Sequence, residues 1–282
     1  KPGYAEEYRA FRWDESLSAL GWMRVSAVNL GHTILDRHPS EAPALRWFGK
    51  NGATRTYTFG ELSRLSNRFA NLLRSLGVSK SDRVAGFLPR IPEAIVVMLG
   101  TWKAGAVYVP VFTGFGPDAI QFRTQHSRAK IFCTQWEYRA RLPKPFQGPE
   151  AIVTVAGPGG EGADPGDASF WEALRDQSEV FELERCQRDE PAVLLYTSGS
   201  TGQPKGAVST HGNHVTTFRS TALSGMLDTA SAGSARQSLP CTLATYPFFH
   251  IGGISIRCMA VGFGMKLVLQ YRWDLEDARE LV

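Results

Sequence analysis

Long apolar runs are absent from this chain of 282 residues. No segment is both long enough and apolar enough to cross a bilayer, which takes about 20 consecutive apolar residues. The opening stretch KPGYAEEYRAFRWDESL also lacks the apolar core of a secretory signal. The sequence therefore predicts neither a membrane-spanning nor an exported protein, and we expect a cytoplasmic location.

Cysteine is scarce. The four cysteines, at positions 133, 186, 241 and 258, are widely separated and form no CxxC pair of the kind found in zinc and redox sites. Three of them sit among apolar neighbours. We predict reduced, structural thiols of an intracellular protein, in which the cysteines form no disulfide and bind no metal.

An excess of charge of one sign is missing as well. The chain has 31 basic and 27 acidic residues, a net charge of +4, spread along its whole length. No basic run resembles an arm that binds nucleic acid, and we expect no nucleic-acid partner. The mild positive charge suits an anionic ligand, and the 43% hydrophobic content is that of a folded globule.

Hydrophobic periodicity predicts alternating helices and strands over most of the chain. Thr58 to Glu61 has the form of a capping box, and apolar residues recur behind it at helical spacing up to Gly77. The pattern predicts further helices over 92–103, 117–127, 212–224 and from 253, and strands over 83–88, 107–111, 130–134, 192–196, 265–270 and just before Tyr246. Strands that alternate with crossover helices build parallel sheets covered by helices on both faces.

The predicted fold class is therefore α/β, with parallel sheets flanked by helices in two similar lobes. Glycine and proline crowd residues 157–166, GPGGEGADPG, and exclude regular structure there. The last predicted helix begins at Asp274 and stops after about two turns, which we interpret as a chain cut short. We expect an N-terminal arm over 1–52, a first lobe over 53–156, an irregular linker over 157–188 and a second lobe over 189–282.

One loop has a composition suited to binding an anion. Residues 196–206 read YTSGSTGQPKG and follow directly on a predicted strand. Glycines and small hydroxyl side chains let neighbouring backbone N–H groups converge on one anion, and Lys205 adds a positive charge. The pattern is neither a Walker A loop nor GxGxxG. Its composition alone allows a phosphate cradle or a glycine-serine surface turn.

The complete stretch resembles the signature of the adenylate-forming superfamily, which includes acyl-CoA synthetases, aryl-CoA ligases, peptide-synthetase adenylation domains and luciferases. Three further motifs agree with it in chain order, TYTFGEL at 56–62, KAGAVYVP at 103–110 and YPFFHIGG at 246–253. The segments YRAFRW at 8–13 and FTGFGPDAI at 112–120 look most like acetyl- and medium-chain acyl-CoA synthetases. The resemblance covers most of the chain and implies the earlier part of the large N-terminal domain of such an enzyme.

Enzymes of this superfamily join a carboxylic acid to ATP, release pyrophosphate and, in the acyl-CoA synthetases, pass the acyl group to coenzyme A. The resemblance therefore implies ATP, Mg²⁺, coenzyme A and a small carboxylic acid as ligands. By the same resemblance the nucleotide phosphates would be held by Thr197, Ser198, Gly199, Ser200, Thr201, Gly202 and Lys205. Thr197 would also contact Mg²⁺, and the acyl pocket would be lined by His250, Gly252 and Gly253. A core histidine that binds a backbone carbonyl is the alternative for His250.

Several later motifs of the superfamily have no counterpart here. They are the tyrosine-glycine-threonine-glutamate motif, the aspartate that binds the ribose, the hinge and the C-terminal lysine that assists adenylation. We therefore expect no complete catalytic set in this chain, with Lys205 and Thr197 as candidate phosphate stabilisers, and no full reaction by this chain alone. A carrier-protein adenylation domain, an aryl-CoA ligase and a short non-catalytic paralogue that binds a nucleotide or acyl ligand are the alternatives.

Other aromatic and histidine residues are predicted to serve packing or to lie at the surface. Trp102 and Tyr108 belong to apolar runs, and so do Phe248 and Phe249, although one of that pair can reach the pocket. The sequence predicts surface or helix-end positions for His126, His211 and His214.

Overall fold

A computed structural model describes residues 4–10, 28–157, 162–197, 202–223, 241–276 and 278 of the chain. Its helices are α1 Tyr4–Ala10, α2 Leu30–Leu35, α3 Phe59–Ser75, α4 Pro92–Lys103, α5 Pro117–Ser127, α6 Trp136–Arg139, α7 Phe170–Arg175, α8 His211–Leu223 and α9 Ile251–Gly262, with a 3-10 turn at Lys50–Gly52. Its strands are β1 Pro43–Phe48, β2 Thr54–Thr58, β3 Arg83–Phe87, β4 Val107–Pro110, β5 Ala129–Gln135, β6 Ala151–Val155, β7 Ala168–Ser169, β8 Pro191–Thr197, β9 Lys205–Thr210, β10 Cys241–Leu243 and β11 Lys266–Gln270. Within these ranges, no helix has the length and apolar character that crossing a membrane requires.

The strands form two sheets in the described part of the chain. The larger sheet has the order β7-β6-β5-β3-β4-β8-β9, and its neighbours run parallel except for β9, which is antiparallel to β8. The smaller sheet has the order β10-β11-β1-β2, in which only β2 is antiparallel to its neighbour. The fold is thus mixed α/β with helices flanking the sheets, which confirms the predicted class.

Both sheets combine strands that are far apart in the sequence. β8 and β9, from the predicted second lobe, extend the sheet built by β3 to β7. β10 and β11, from the same predicted lobe, instead join β1, with Leu45 opposite Leu267. The division into an arm and two lobes stays a prediction, and the strand pairing crosses its boundaries. The pairing places β8, the strand before the glycine-rich loop, between β4 and the edge strand β9.

The helices with clear start signals are confirmed. α3 begins with the predicted capping box, in which Thr58 Oγ1 accepts from the Glu61 N–H at 3.2 Å and the Glu61 carboxylate accepts from the Thr58 N–H at 2.8 Å. α4 and α5 each begin at a proline, which loses no hydrogen bond in the first turn of a helix. The predicted helix from Asp274 lies mostly outside the described residues, and so do residues 158–161 of the predicted linker.

Two antiparallel hairpins were not predicted. One is β1 with β2, which joins the expected arm to the start of the expected first lobe, and the other is β8 with β9. β9, with the sequence KGAVST, is mostly exposed at the edge of its sheet and has none of the apolar pattern of a buried strand. The alternation of strands and helices predicts parallel neighbours, so it gives no sign of these hairpins.

Helix α4 lies at the centre of the core. All of its residues except Glu93 are buried. Trp102 is completely buried and donates its indole N–H to the carbonyl of Ala192 in β8 at 2.8 Å. Tyr108, in β4, is 2% exposed. The predicted packing roles of both aromatic residues are confirmed, and Trp102 also ties the central helix to the strand that leads into the glycine-rich loop.

A lysine also lies inside this core. The Lys103 side chain is 0% exposed, and its Nζ donates to Asp36 Oδ1 and to Asn67 Oδ1, both at 2.8 Å. Burial lowers the pKa of Lys103, and the Asp36 charge acts in the opposite direction. Burial raises the pKa of Asp36, but hydrogen bonds from His32, Lys103 and Ser63 outweigh that effect and leave it lowered. Each charge is therefore held in the core by its partner.

The cysteines are all free thiols. Cys133, Cys186 and Cys258 are buried and Cys241 is exposed. Burial raises the pKa of Cys186 to about 11 and that of Cys258 to about 12, so these two stay protonated at neutral pH. The burial of three cysteines agrees with their apolar neighbours in the sequence, and the absence of a disulfide or metal role stays a prediction.

The prediction of surface or helix-end positions holds for His211 as a helix-end residue, but neither His211 nor His214 lies at the surface. His211 begins α8, as a helix-end residue, but it is 0% exposed and its Nδ1 accepts from the Leu30 N–H at 3.2 Å. His214 is 4% exposed and its Nε2 lies 3.2 Å from Ser209 Oγ. Burial lowers the pKa of each to about 4. Both rings are covered because the start of α8 packs against α2 and Trp102. His126 is exposed, as predicted.

Replacement of Asp36 by Asn should destabilise the protein by about 3–5 kcal/mol, because it leaves the Lys103 ammonium buried without its countercharge. Urea denaturation measures this loss. The control is Glu150→Gln, which removes a carboxylate that is 64% exposed and lies 3.8 Å from Lys130; a surface pair of this kind contributes about 1 kcal/mol or less. Equal effects of the two substitutions would contradict the importance of the buried pair.

Acid should weaken the fold through His211 and His214. An unfolded histidine binds a proton near its ordinary pKa of 6.5, whereas the folded rings resist protonation down to about pH 4. The free energy of unfolding should therefore fall as the pH drops through this window, by roughly 1.4 kcal/mol per pH unit for each ring. The double variant His211→Asn/His214→Asn should flatten that slope in denaturation curves between pH 6.5 and 4.5, and His126→Asn should keep it. A wild-type slope in the double variant would refute the assignment.

Candidate functional site

A cavity of about 720 Å³ lies where three distant segments of the chain meet. One wall is the β8–β9 hairpin, a second is the aromatic segment before α9, and a third comes from Phe115, just before α5, and Arg123, in the middle of that helix. The lining residues are Phe115, Arg123, Leu195, Tyr196, Thr197, Gly202, Pro204, Ala207, Val208, Ser209, Phe249, His250 and Ile251. Three of the stretches that carry the resemblance, 112–120, 196–206 and 246–253, therefore border the same space.

The glycine-rich loop connects the two strands of the hairpin at its open end. β8 and β9 pair as far as Thr197 opposite Lys205, and the Thr197 hydroxyl lies 3.5 Å from the Lys205 carbonyl oxygen. Thr197 and Gly202 both line the cavity, and Gly202 has a φ of 94°, a conformation that favours glycine. Ser198, Gly199, Ser200 and Thr201 lie outside the described residues. Both described ends of the loop thus face the cavity.

Lys205 lies next to this space. It is the first residue of β9 and is exposed, but it does not belong to the lining of the cavity. Among the described residues, no carboxylate lies within ion-pair distance of its ammonium. Its four-carbon stem is flexible, so the charge is available to an anion in the loop.

His250 faces the cavity and caps helix α9. The residue is exposed, and its Nδ1 accepts the backbone N–H of Gly252 at 3.1 Å. In a neutral ring the proton is then on Nε2, so the imidazole has an N–H donor left for a ligand. The alternative of a core histidine bound to a carbonyl does not hold.

The two glycines after His250 pack against the aromatic segment. A Cβ on Gly253 would lie 2.0 Å from the carbonyl oxygen of Pro247, so this position accepts only glycine. A Cβ on Gly252 would lie 3.2 Å from the Tyr246 ring. Neither glycine lines the cavity. The close approach of α9 to the preceding segment explains both, and their contact with a substrate remains a prediction.

The aromatic pair of this segment divides between core and cavity. Phe248 is 7% exposed and lies under the guanidinium of Arg257, which is 3.9 Å from its ring centre. Phe249 lines the cavity and packs on Phe112, with ring centres 4.1 Å apart. Phe249 is therefore the member of the pair that reaches the pocket.

Helix α5 contributes side chains that were not predicted to belong to the site. His126 Nδ1 lies 2.8 Å from the hydroxyl of Tyr196, and the Arg123 guanidinium lies 3.9 Å from the ring centre of Phe115 and 5.7 Å from that of Tyr196. Phe122 meets the Tyr196 ring edge to face, at 6.3 Å. The helical spacing of Phe122, Arg123 and His126 places them on neighbouring positions of the helix surface, which is the signal available in the sequence.

The electrostatic character of the cavity is positive. Among the described residues, its lining includes the Arg123 guanidinium and no carboxylate. The first turn of α9, at His250 and Ile251, adds the partial positive charge of a helix N-terminus. The cavity therefore suits an anionic ligand.

The side-chain oxygen at the edge of the cavity fits a magnesium ion that is already bound to phosphates. Mg²⁺ typically takes one or two protein oxygens and fills its other positions with phosphate oxygens and water. The Thr197 hydroxyl, at the edge of the cavity, is one such oxygen. The described ranges contain no group of three or more His, Cys, Asp and Glu side chains able to hold a metal by themselves.

Two solved structures share this fold. An acyl-CoA synthetase from Brucella canis superposes with a TM-score of 0.81 at 25% identity, covering 96% of this chain and 50% of that one. The anthranilate CoA ligase AuaEII, in complex with anthranoyl-AMP, gives a TM-score of 0.75 at 23% identity and covers 91% of this chain and 48% of its own. The likeness to the second structure shows the fold alone.

Curated relatives match the chain over most of its length. The acetyl-coenzyme A synthetases of Shewanella sediminis and Streptomyces avermitilis are 35% identical over 227 residues and 34% identical over 213 residues. The matches cover 72% and 69% of this chain but only 34% and 33% of the relatives, so the chain spans about one third of their length. A model of the family described as AMP-binding enzyme matches residues 32–282. Because that match includes all three walls of the cavity, the chain belongs to the AMP-binding enzymes of the adenylate-forming superfamily.

Proposed function

We propose that this chain forms the phosphate-binding loop and part of the acid-binding wall of an acyl-CoA synthetase. The complete enzyme joins a carboxylic acid to ATP, releasing pyrophosphate, and then passes the acyl group of the acyl-adenylate to the thiol of coenzyme A. The similarity to acetyl-coenzyme A synthetases supports an AMP-forming acid–thiol ligase. The observation that carries the proposal is that the glycine-rich hairpin and the aromatic-histidine segment border one cavity.

In this proposal the loop holds the phosphates of ATP. Thr197 and Gly202 face the cavity at the two ends of the loop, and Ser198 to Thr201 join them. Lys205 supplies the positive charge beside the loop, and Thr197 the oxygen ligand for Mg²⁺. The metal, when bound, neutralises charge on the phosphates, while the loop fixes their position relative to the acid.

The carboxylic acid binds at the opposite wall. The free Nε2–H of His250 can donate to a carboxylate oxygen, and Phe249, Ile251 and Val208 provide apolar surface for the acyl group. A volume of about 720 Å³ is in the range of small-molecule sites. Coenzyme A is the proposed second substrate.

Acid-dependent exchange of pyrophosphate into ATP tests the first half of this reaction. The complete protein should catalyse exchange with at least one acid in a series from acetate to medium-chain acids, and then form a thioester when coenzyme A is added. Absence of exchange with every acid would overturn the proposal. Exchange followed by transfer to a carrier phosphopantetheine, but not to coenzyme A, would identify a carrier-protein adenylation domain instead.

Lys205→Ala should lower the exchange rate roughly tenfold to a hundredfold, because a charge-assisted contact to phosphate contributes about 1.5–3 kcal/mol. The melting temperature should not change, since the side chain is exposed. Lys144→Ala removes another exposed lysine, away from the cavity, and is the control. Wild-type exchange by the Lys205 variant would count against its role at the phosphates.

Two substitutions at His250 separate its role as a helix cap from its role in the cavity. Asn is a good cap and should keep the stability of α9, whereas Ala should cost about 1 kcal/mol. Both changes remove the imidazole donor, so both should raise the KM for the acid in the exchange assay. If the Asn variant keeps the wild-type KM and the wild-type preference among acids, His250 only caps the helix.

A further inference from the structure

Among the described residues, three charged basic side chains are buried, and they differ in how many of their N–H donors have a partner. Lys103 pairs with Asp36 at 2.8 Å. Arg257 donates to the carbonyl oxygens of Gly253 at 3.0 Å and Phe248 at 2.8 Å, and its Nη1 is buried without a partner in the described part of the chain. Arg123, which is 7% exposed, makes one hydrogen bond, from Nη1 to the carbonyl oxygen of Ala119 in its own helix at 2.9 Å. Arg123 is the least satisfied of the three.

The remaining donors of Arg123 have no partner within the described part of the chain. Its Nε is buried and unpaired, and no carboxylate there lies within ion-pair distance. The guanidinium is held by aromatic faces, with the ring centre of Phe115 at 3.9 Å and that of Tyr196 at 5.7 Å. Cation–π contacts offset part of the cost of burying the charge, but they leave the N–H edges of the group unused.

A charge buried in this way carries a penalty unless something compensates it. Burial lowers the pKa of Arg123, yet a guanidinium keeps its proton in proteins, so the positive charge persists. Packing alone would be served as well by an apolar side chain. Arg123 also lines the cavity, together with Thr197 and His250. The positive charge of Arg123 and its unpaired N–H donors therefore belong to the wall of a cavity that suits an anionic ligand.

We propose that Arg123 is an oxyanion-binding residue of the cavity. The planar guanidinium offers paired N–H donors, a geometry that matches two oxygens of a carboxylate or a phosphate. The oxyanion comes either from the carboxylic acid or from the nucleotide, and the inference rests on the function proposed above. Phe115 and Tyr196 fix the plane of the guanidinium, and His126 fixes Tyr196 through its hydroxyl.

Isothermal titration of the purified protein with pyrophosphate, ATP, acetate and hexanoate tests this role. Arg123→Met removes the charge and keeps the length of the side chain, and it should weaken binding of at least one probe tenfold or more. Weaker binding of pyrophosphate and ATP assigns the oxyanion to the nucleotide, and weaker binding of the acids alone assigns it to the carboxylate. Arg175→Met, which changes an exposed arginine at the end of α7, should bind every probe as the wild type does.

Affinities within twofold of the wild type for all four probes in the Arg123→Met variant would overturn the proposal, and so would a wild-type protein that binds none of them. If that variant does not fold, as judged by circular dichroism, Arg123→Gln replaces it, because Gln can still donate to the Ala119 carbonyl. Failure of both to fold would show that Arg123 serves the fold, and would also overturn the proposal.

The pyrophosphate exchange assay separates this inference from the function on which it rests. Wild-type exchange together with unchanged probe binding in Arg123→Met would reject Arg123 and keep the ligase. Weakened probe binding in a protein that catalyses no exchange would leave an oxyanion site and reject the ligase.

Discussion

The parallel pairing of β4 with β8 is the constraint on which the cavity depends. Tyr108 of β4 lies opposite Val193 of β8, and this contact attaches the glycine-rich hairpin to the sheet formed by the earlier part of the chain. The indole of Trp102 reinforces it through the carbonyl of Ala192, one residue away. The motif KAGAVYVP at 103–110 thus does not line the cavity but supports the strand from which the loop departs. If β8 were displaced, the loop would no longer face the aromatic-histidine segment.

The buried ion pair extends this support to the neighbouring helices. Lys103 ends α4, and its ammonium joins Asp36, after α2, with Asn67 of α3. A charge in the core tolerates little displacement, because losing its partner would leave it buried and alone. The pair therefore fixes three helices relative to one another. Since Asn29, at the start of α2, also donates to the carbonyl oxygens of Trp102 and Lys103, the end of α4 is held from two sides.

Sequence patterns predicted those parts of the fold that depend on local signals. Prolines at 92 and 117 and the capping box at Thr58 begin helices through interactions within a few residues, so their positions followed from the sequence. The hairpin partner β9 depends on contacts with β8 and on an exposed edge, and its own residues give no strand pattern. The burial of His211 and His214 was not predicted either, because it too depends on contacts with distant segments. It comes from α2 and Trp102 packing on α8.

The candidate site also contains parts that the sequence predicted and parts that it did not. The glycine-rich loop and the aromatic-histidine segment were recognisable because each is a continuous stretch with its own chemistry. Arg123 and His126 were not, because their relation to Tyr196 exists only after β8 has been placed beside β4 and α5 has packed against the sheet. Helical spacing puts Arg123 and His126 near each other on the helix surface, but only the fold brings that surface to the site.

The scaffold and the cavity differ in how far their buried charges have partners inside the chain. In the scaffold, Lys103 has a countercharge, and Arg257 donates to two carbonyl oxygens and packs on Phe248, although its Nη1 is buried without a partner among the described residues. Most of the cost of burying these two side chains is therefore compensated within the chain. At the cavity, Arg123 has one carbonyl and two aromatic faces, and the lining residues that the structure describes include no carboxylate. Compensation inside the chain would remove the positive potential that an anionic ligand needs. A protein that binds anions must therefore leave some of its positive charge uncompensated, and the cavity, next to the loop, is where this chain does so.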